Sequence, residues 1–197
     1  AVKLAMRHPD VFGSVASLSG VLFLDFFAAA TPAAVAENPE GMAGPAGEKV
    51  YTSIFYAMSA AFAPNVDNPP FYVDLPFEYP SSDVIDEVWS KYRAADPVAM
   101  LATHAENTAS LNGIYMDAGD IDEYGAQVQT QAYHEALTAA GIDHEFEIFV
   151  GGHRNRLFER MRMAMTYLSG VLAGEPTEDD DNVFFMSLTP GLNMVSL

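Results

Sequence analysis

The sequence predicts an α/β fold built on a parallel sheet. Three observations lead there. A helix end runs straight into a short apolar strand near the start of the chain. Strand, helix, strand and helix then alternate with short links from residue 111 onward. The last two strands also end in loops rich in acids and glycine, and in open parallel sheets functional residues collect at that strand edge.

The first element is the end of a helix. Ala1, Val2, Ala5 and Met6 are apolar at helical spacing, and Pro9 stops the helix near Arg7 or His8. Such a start suggests that something lies upstream. Gly13 to Leu18, GSVASL, reads as a short buried strand, followed by a Ser19-Gly20 turn.

Residues 21 to 110 have a different texture, and they read as a cap-like insertion over a core made by 1–20 and 111–173. They hold much of the aromatic content, including Phe55, Tyr56, Phe62, Phe71, Tyr72, Phe77, Tyr79 and Trp89. The segment ATPAAVAENPEGMAGPAG reads as irregular. Ser82 is a candidate cap for a helix carrying Val84, Ile85, Val88, Trp89 and Tyr92. Asp96-Pro97 reads as the start of another short helix.

From residue 111 the pattern becomes regular. Gly113 to Asp117 is strand-like. A helix is expected from about Tyr124 to Ala140, with Val128, Ala132, Ala136, Leu137 and Ala140 on its apolar face and Gly141 at its C-terminal cap. Glu145 to Val150 has strand period, with Phe146, Ile148 and Val150 on one face. After Gly151-Gly152-His153, Asn155 can cap a last helix through Leu157, Met161, Met165, Leu168 and Leu172. Residues 174–197, with the run Glu178-Asp179-Asp180-Asp181, read as an acidic connector and tail.

Composition narrows the function. The chain has 27 acidic against 9 basic residues, a formal net charge of −18. That charge repels phosphates and anionic lipids, so nucleic acid is not an expected partner. No apolar run reaches the roughly 18 residues of a membrane span. There are no cysteines, which removes disulfides, thiolate metal sites and a cysteine nucleophile. Asp117, Asp120 and Asp122 do not make a calcium loop of EF-hand type, because Gly119, Ile121 and Asp122 occupy positions that need other residues. No metal or cofactor is expected. His8, His104, His134 and His144 have structural or solvated readings: a helix end, a polar loop, a helix face and a strand start.

The chemistry is expected on two loops. Asp117-Ala118-Gly119-Asp120-Ile121-Asp122 follows one strand, and Gly151-Gly152-His153 follows the next. An acid and a histidine at the same edge of adjacent strands can meet. The acid then orients the imidazole, and the histidine serves as general base and acid.

These segments resemble a known family. GIYMDAGDIDEYGAQVQTQAYHEALTAAGIDHEFEIFVGGH is similar to the C-terminal third of the putative-esterase, or esterase D-like, family of α/β-hydrolases. AVKLAMRHPDVFGSVASLSG resembles the helix after that family's nucleophile elbow and the next strand. VWSKYRAADPVAML resembles the piece preceding its acid strand. The likeness touches residues 1–20 and about 87–173.

The resemblance implies an α/β-hydrolase fold and a carboxylic-ester hydrolase that needs no cofactor. Its G-x-x-D acid falls on Asp122 and its G-x-H histidine on His153, 31 residues apart. Asp117, which ends the strand, is the rival acid. The family's nucleophile lies in a G-x-S-x-G elbow, and this chain contains none. Ser14, Ser17 and Ser19 lack the flanking glycines. The nucleophile is therefore expected on an upstream segment of the same polypeptide, with a small-molecule ester as substrate. Acyl transfer to an acceptor other than water fits the same machinery. A non-catalytic α/β-hydrolase-like binding module is the alternative from another class.

An acidic, lysine-poor surface fits a protein working in high salt as well as an ordinary acidic protein. On the high-salt hypothesis, screening relieves self-repulsion. The melting temperature should then rise from low salt to molar potassium chloride. A flat or falling melting temperature removes that hypothesis.

Overall fold

The structure, a computed structural model, describes residues 1–41 and 49–173. The acidic connector and tail expected at 174–197 lie outside the described residues. Helix α1 spans Val2–Arg7, strand β1 spans Ser14–Leu18, and a 3₁₀ helix covers Leu24–Ala30. Helices α2 (Thr31–Glu37), α3 (Val50–Phe62), α4 (Asp86–Arg93) and α5 (Pro97–Ala109) follow. The chain continues through β2 (Gly113–Gly119), α6 (Ala126–Ala139), β3 (Glu145–Phe149) and α7 (Leu157–Ala173).

The three strands form one parallel sheet in the order β1-β2-β3. Val15 pairs with Ile114 and Leu18 with Asp117, while Met116 pairs with Phe146 and Gly119 with Phe149. All seven residues of the central strand β2 are buried. This follows from helices on both faces, as parallel sheets require. Ile114 and Met116 point into a core with Val2, Met6, Met100, Tyr133 and Leu137 from α1, α5 and α6. On the opposite face, a Cβ on Gly113 would stand 2.8 Å from Val171 and 2.9 Å from the Tyr167 hydroxyl, so glycine there lets α7 lie against the strand. This is the α/β architecture expected.

A second apolar cluster draws on residues 24 to 95, including Phe27, Phe55, Phe77, Trp89 and Tyr92. Trp89 and Tyr92 stack at 5.2 Å. Tyr92 and Ser59 share a 2.6 Å hydrogen bond, and burial pushes the Tyr92 phenol up to about 12. Helix α5 belongs to the sheet-side core through Met100 and Leu101. Among the described residues, no helix is long and apolar enough to cross a membrane.

Several local expectations are corrected. The stretch read as irregular contains α2, whose Pro32 sits in the first turn, where no backbone donor is needed. Ser82 does not cap α4. It adopts a positive φ of 64° in a turn, and its carbonyl accepts from Thr31 Oγ1 at 2.9 Å. Acidic Asp86 and Glu87 complement the start of that helix instead. His104 lies inside α5, at a kink with φ −125° and ψ 16°, and not in a loop.

Helix α6 buries Ala126, Gln129, Thr130, Tyr133 and Leu137, leaving Val128 and Ala140 exposed. Burying the large Tyr133 ring removes more apolar surface than burying Val128 or Ala132, so the helix turns that way. On β3, Phe146 faces α6, stacked on His134 at 4.2 Å, but Ile148 and Val150 are exposed. The strand is at the edge of the described sheet, and its Phe146 packs against α6 through His134. Helix α7 buries Arg160 and Ala164, while Leu157, Met161, Met165 and Leu172 are exposed. The opposite stripe faces the strands because Arg160 has a buried partner there.

Asp96 joins the two clusters. Its Oδ1 accepts from the Val98 and Ala99 N–H groups at 2.8 and 3.2 Å, capping α5 as expected. Its Oδ2 accepts from Leu24 N–H at 2.6 Å, across 72 residues of sequence. Asp96→Ala should destabilise the fold by about 2–4 kcal/mol, a lost cap plus an orphaned buried N–H, as read by urea unfolding. Burial raises the Asp96 pKa above its ordinary value, partly offset by these hydrogen bonds. The folded state therefore holds the proton more tightly than the unfolded chain. The stability of the natural chain relative to Asp96→Asn should fall as pH rises from about 4 through the raised folded value. A difference that grows with pH would contradict this.

Candidate active site

The loops after β2 and β3 meet at the carboxyl edge of the sheet, where the sequence placed the chemistry. Their contact starts with a missing side chain. A Cβ on Gly119 would lie 2.1 Å from the Gly151 carbonyl oxygen, so only glycine lets the two loops pass this closely. The Asp120 N–H then donates to Phe149 O at 2.8 Å and the Ile121 N–H to Gly151 O at 3.2 Å.

His153 Nδ1 lies 2.9 Å from Asp122 Oδ2. The Asp122 side chain is fully buried, and that of His153 is 31% exposed. The other carboxylate oxygen of Asp122 accepts from the Tyr124 N–H at 2.9 Å. The Tyr124 ring meets the imidazole edge-on at 4.9 Å. With Nδ1 donating to the buried carboxylate, Nε2 is the nitrogen left to exchange a proton with a substrate.

The acids flanking Asp122 hold the same loop. Asp120 Oδ1 accepts from the Gly151 N–H at 2.8 Å, and Glu123 Oε2 from the His153 N–H at 3.0 Å. That bond is the first cause holding the Glu123 carboxyl below its ordinary pKa. Asn155 Oδ1 accepts from the Gly152 N–H at 2.7 Å. Asn155 therefore braces the glycine turn, against the expectation that it caps α7.

Asp117, the rival acid, is engaged elsewhere. Its two oxygens accept from Arg160 Nε at 3.0 Å and Nη2 at 2.5 Å, and both side chains are buried. Arg160 also donates to Ser19 Oγ at 2.8 Å and to the carbonyls of His153 at 3.1 Å and Asn155 at 3.4 Å. Its guanidinium lies 4.3 Å over the Phe149 ring. One side chain thus touches the ends of all three strands and the histidine loop. Ser14 and Ser17 lie within β1, and Ser19 follows it with a positive φ of 48°, its hydroxyl held by Arg160.

A cavity of about 1100 Å³ opens beside His153, between the acid loop and helix α3. Ser19, Asp122 and Glu123 also line it. Sequence reasoning missed Arg160, Glu123 and Asp120. The available signal for Arg160 was its place on the stripe with Ala164, Tyr167 and Val171. The bond between His134 Nδ1 and His144 Nε2, at 2.8 Å, was also not foreseen.

A family model described as "Putative esterase" matches residues 1–165, including the stretch 21–86 that the resemblance had left out. The chain belongs to that family. Three chains of known structure match it. One of them, a ferulic acid esterase, is 15% identical with a TM-score of 0.42, over 85% of this chain and 43% of the other. The chain thus spans less than half the length of that protein. No curated protein matches.

Removing Arg160 leaves Asp117 charged and buried without a partner. Arg160→Ala should cost about 3–5 kcal/mol in chemical unfolding, and the double change Asp117→Leu with Arg160→Met distinctly less. Equal losses in both variants would mean that packing, and not charge, dominates this site.

Proposed function

We propose that the chain is the C-terminal part of a serine carboxylic-ester hydrolase. The observation that carries this reading is the 2.9 Å contact between His153 Nδ1 and a fully buried Asp122 carboxylate, beside a large cavity, in a chain of an esterase family. Asp122 fixes the imidazole tautomer and stabilises the imidazolium. His153 takes a proton from the nucleophile through Nε2 and returns it to the leaving alkoxide. Water then repeats the sequence on the acyl-enzyme.

The nucleophile is a serine on an upstream segment of the same polypeptide, in a G-x-S-x-G elbow. Two features support that placement. Strand β1 is at the edge of the described sheet, where a further strand can pair. The exposed stripe Leu157, Phe158, Met161 and Met165 on α7 offers apolar surface to a neighbouring element. Ser19 fits the role poorly, because a guanidinium donor already occupies its oxygen. Of residues 21–110, the part before α5 acts as a cap-like insertion whose α3 closes one side of the cavity, while α5 packs into the sheet-side core.

The test is hydrolysis of short-chain p-nitrophenyl esters by the polypeptide that includes the upstream segment. His153→Ala should lower kcat by a factor on the order of 10⁴ to 10⁶, and Asp122→Asn by somewhat less. Residues 1–197 alone should be inactive. Undiminished turnover by His153→Ala would overturn the mechanism. Turnover by residues 1–197 that is lost in Ser19→Ala would move the nucleophile to Ser19. Absence of turnover in every form would favour the binding-module alternative.

A further inference from the structure

The cavity beside His153 has a one-sided chemistry. Its far wall is mostly apolar, made by Phe26, Val50, Ile54, Ala57 and Met58, with Tyr51 and Ser53 as the polar residues of α3 among them. Its acidic lining is Glu37, Asp122 and Glu123, with His153 beside Asp122, and no lysine or arginine lines it among the described residues. Asp122 is matched by His153. Glu37 and Glu123 are carboxylates bonded to backbone N–H groups, with no cation bonded to them among the described residues.

Both of these carboxylates are held in place. Glu37 Oε1 accepts from the Tyr51 N–H at 3.2 Å and its Oε2 from the Thr52 N–H at 2.9 Å. Glu37 therefore occupies the start of α3, the place on this wall where free backbone donors would welcome an anion. Glu123 is tied to the His153 N–H. An incoming negative group would meet two fixed like charges, a largely apolar wall and, among the described residues, no lysine or arginine to offset its charge.

We infer that this cavity is an acyl-binding site for uncharged, apolar acyl groups, and that it rejects esters whose acyl chain ends in a carboxylate. The inference rests on the esterase reading for the position of the scissile carbonyl beside His153. A volume of about 1100 Å³ is ample for a medium-length alkyl chain or a ring system. After hydrolysis the product is itself a carboxylate, and the same two fixed charges favour its departure.

The experiment compares p-nitrophenyl octanoate with mono-p-nitrophenyl suberate, which match in length and differ in the terminal methyl or carboxylate. It uses the polypeptide that includes the upstream segment. The expected kcat/KM is at least about tenfold higher for the octanoate. The ratio should shrink in Glu37→Gln and shrink further in Ser53→Lys, which places a cation on the α3 wall. Equal rates on the two esters, or a ratio that neither substitution moves, overturn the inference while leaving the esterase reading intact. If neither ester is hydrolysed while a short-chain p-nitrophenyl ester is, the inference is overturned and the esterase reading stands. If no ester is hydrolysed at all, the esterase reading fails, and calorimetric titration with octanamide decides the cavity on its own. Binding that is lost in Ala57→Trp upholds an apolar acyl site, and absence of binding overturns it.

Discussion

Arg160 is the point on which the carboxyl edge of the sheet depends. Three strand ends bring a hydroxyl, a carboxylate and a backbone carbonyl to one place beneath the surface, and each needs a donor. A planar guanidinium meets all three at once: Ser19 after β1, Asp117 two residues before the end of β2, and the carbonyls of the loop after β3. Lysine has neither the fork nor the number of fixed directions to do so. The charge is tolerable there because Asp117 takes two of its hydrogen bonds and the Phe149 ring lies beneath it.

The histidine loop is then held from both sides. Glu123 accepts from the His153 N–H, and Arg160 donates to the His153 carbonyl, so the backbone at this residue is gripped by an acid before it and a base after it. The imidazole itself is aligned by Asp122, whose second oxygen is occupied by the Tyr124 N–H and cannot swing away. Gly119 permits the close approach that makes all of these contacts short. The division of labour among the acids follows from depth. Asp117 lies within the strand and meets the helix behind it, whereas Asp122 lies five residues on, after the loop has turned over the sheet edge toward His153.

The two apolar cores serve different ends. The sheet-side core sets the strands and therefore the position of the two loops. The aromatic core holds α3 and the 3₁₀ helix at a distance from the sheet, which leaves the cavity between them. Asp96 couples the two by capping α5 in one core while binding the Leu24 N–H at the start of the other.

The sequence by itself determined the order of strands and helices after residue 111, the parallel class and the pair of loops that meet. Strand period and a C-terminal cap glycine are local properties, and local sterics enforce them, whereas Asp122 and His153 were picked out by the family resemblance. The absence of cysteine and the acidic balance are equally properties of composition. Tertiary structure decided which stripe of α6 and of α7 is buried, because each helix offers more than one plausible stripe and only the elements packed against it select between them. Tyr133 and Arg160 won those contests through partners more than a hundred and more than forty residues away, Met6 and Asp117 respectively. It also settled which acid touches His153 and placed Glu37 across the start of α3 at the cavity wall, since these contacts join segments that no periodicity relates.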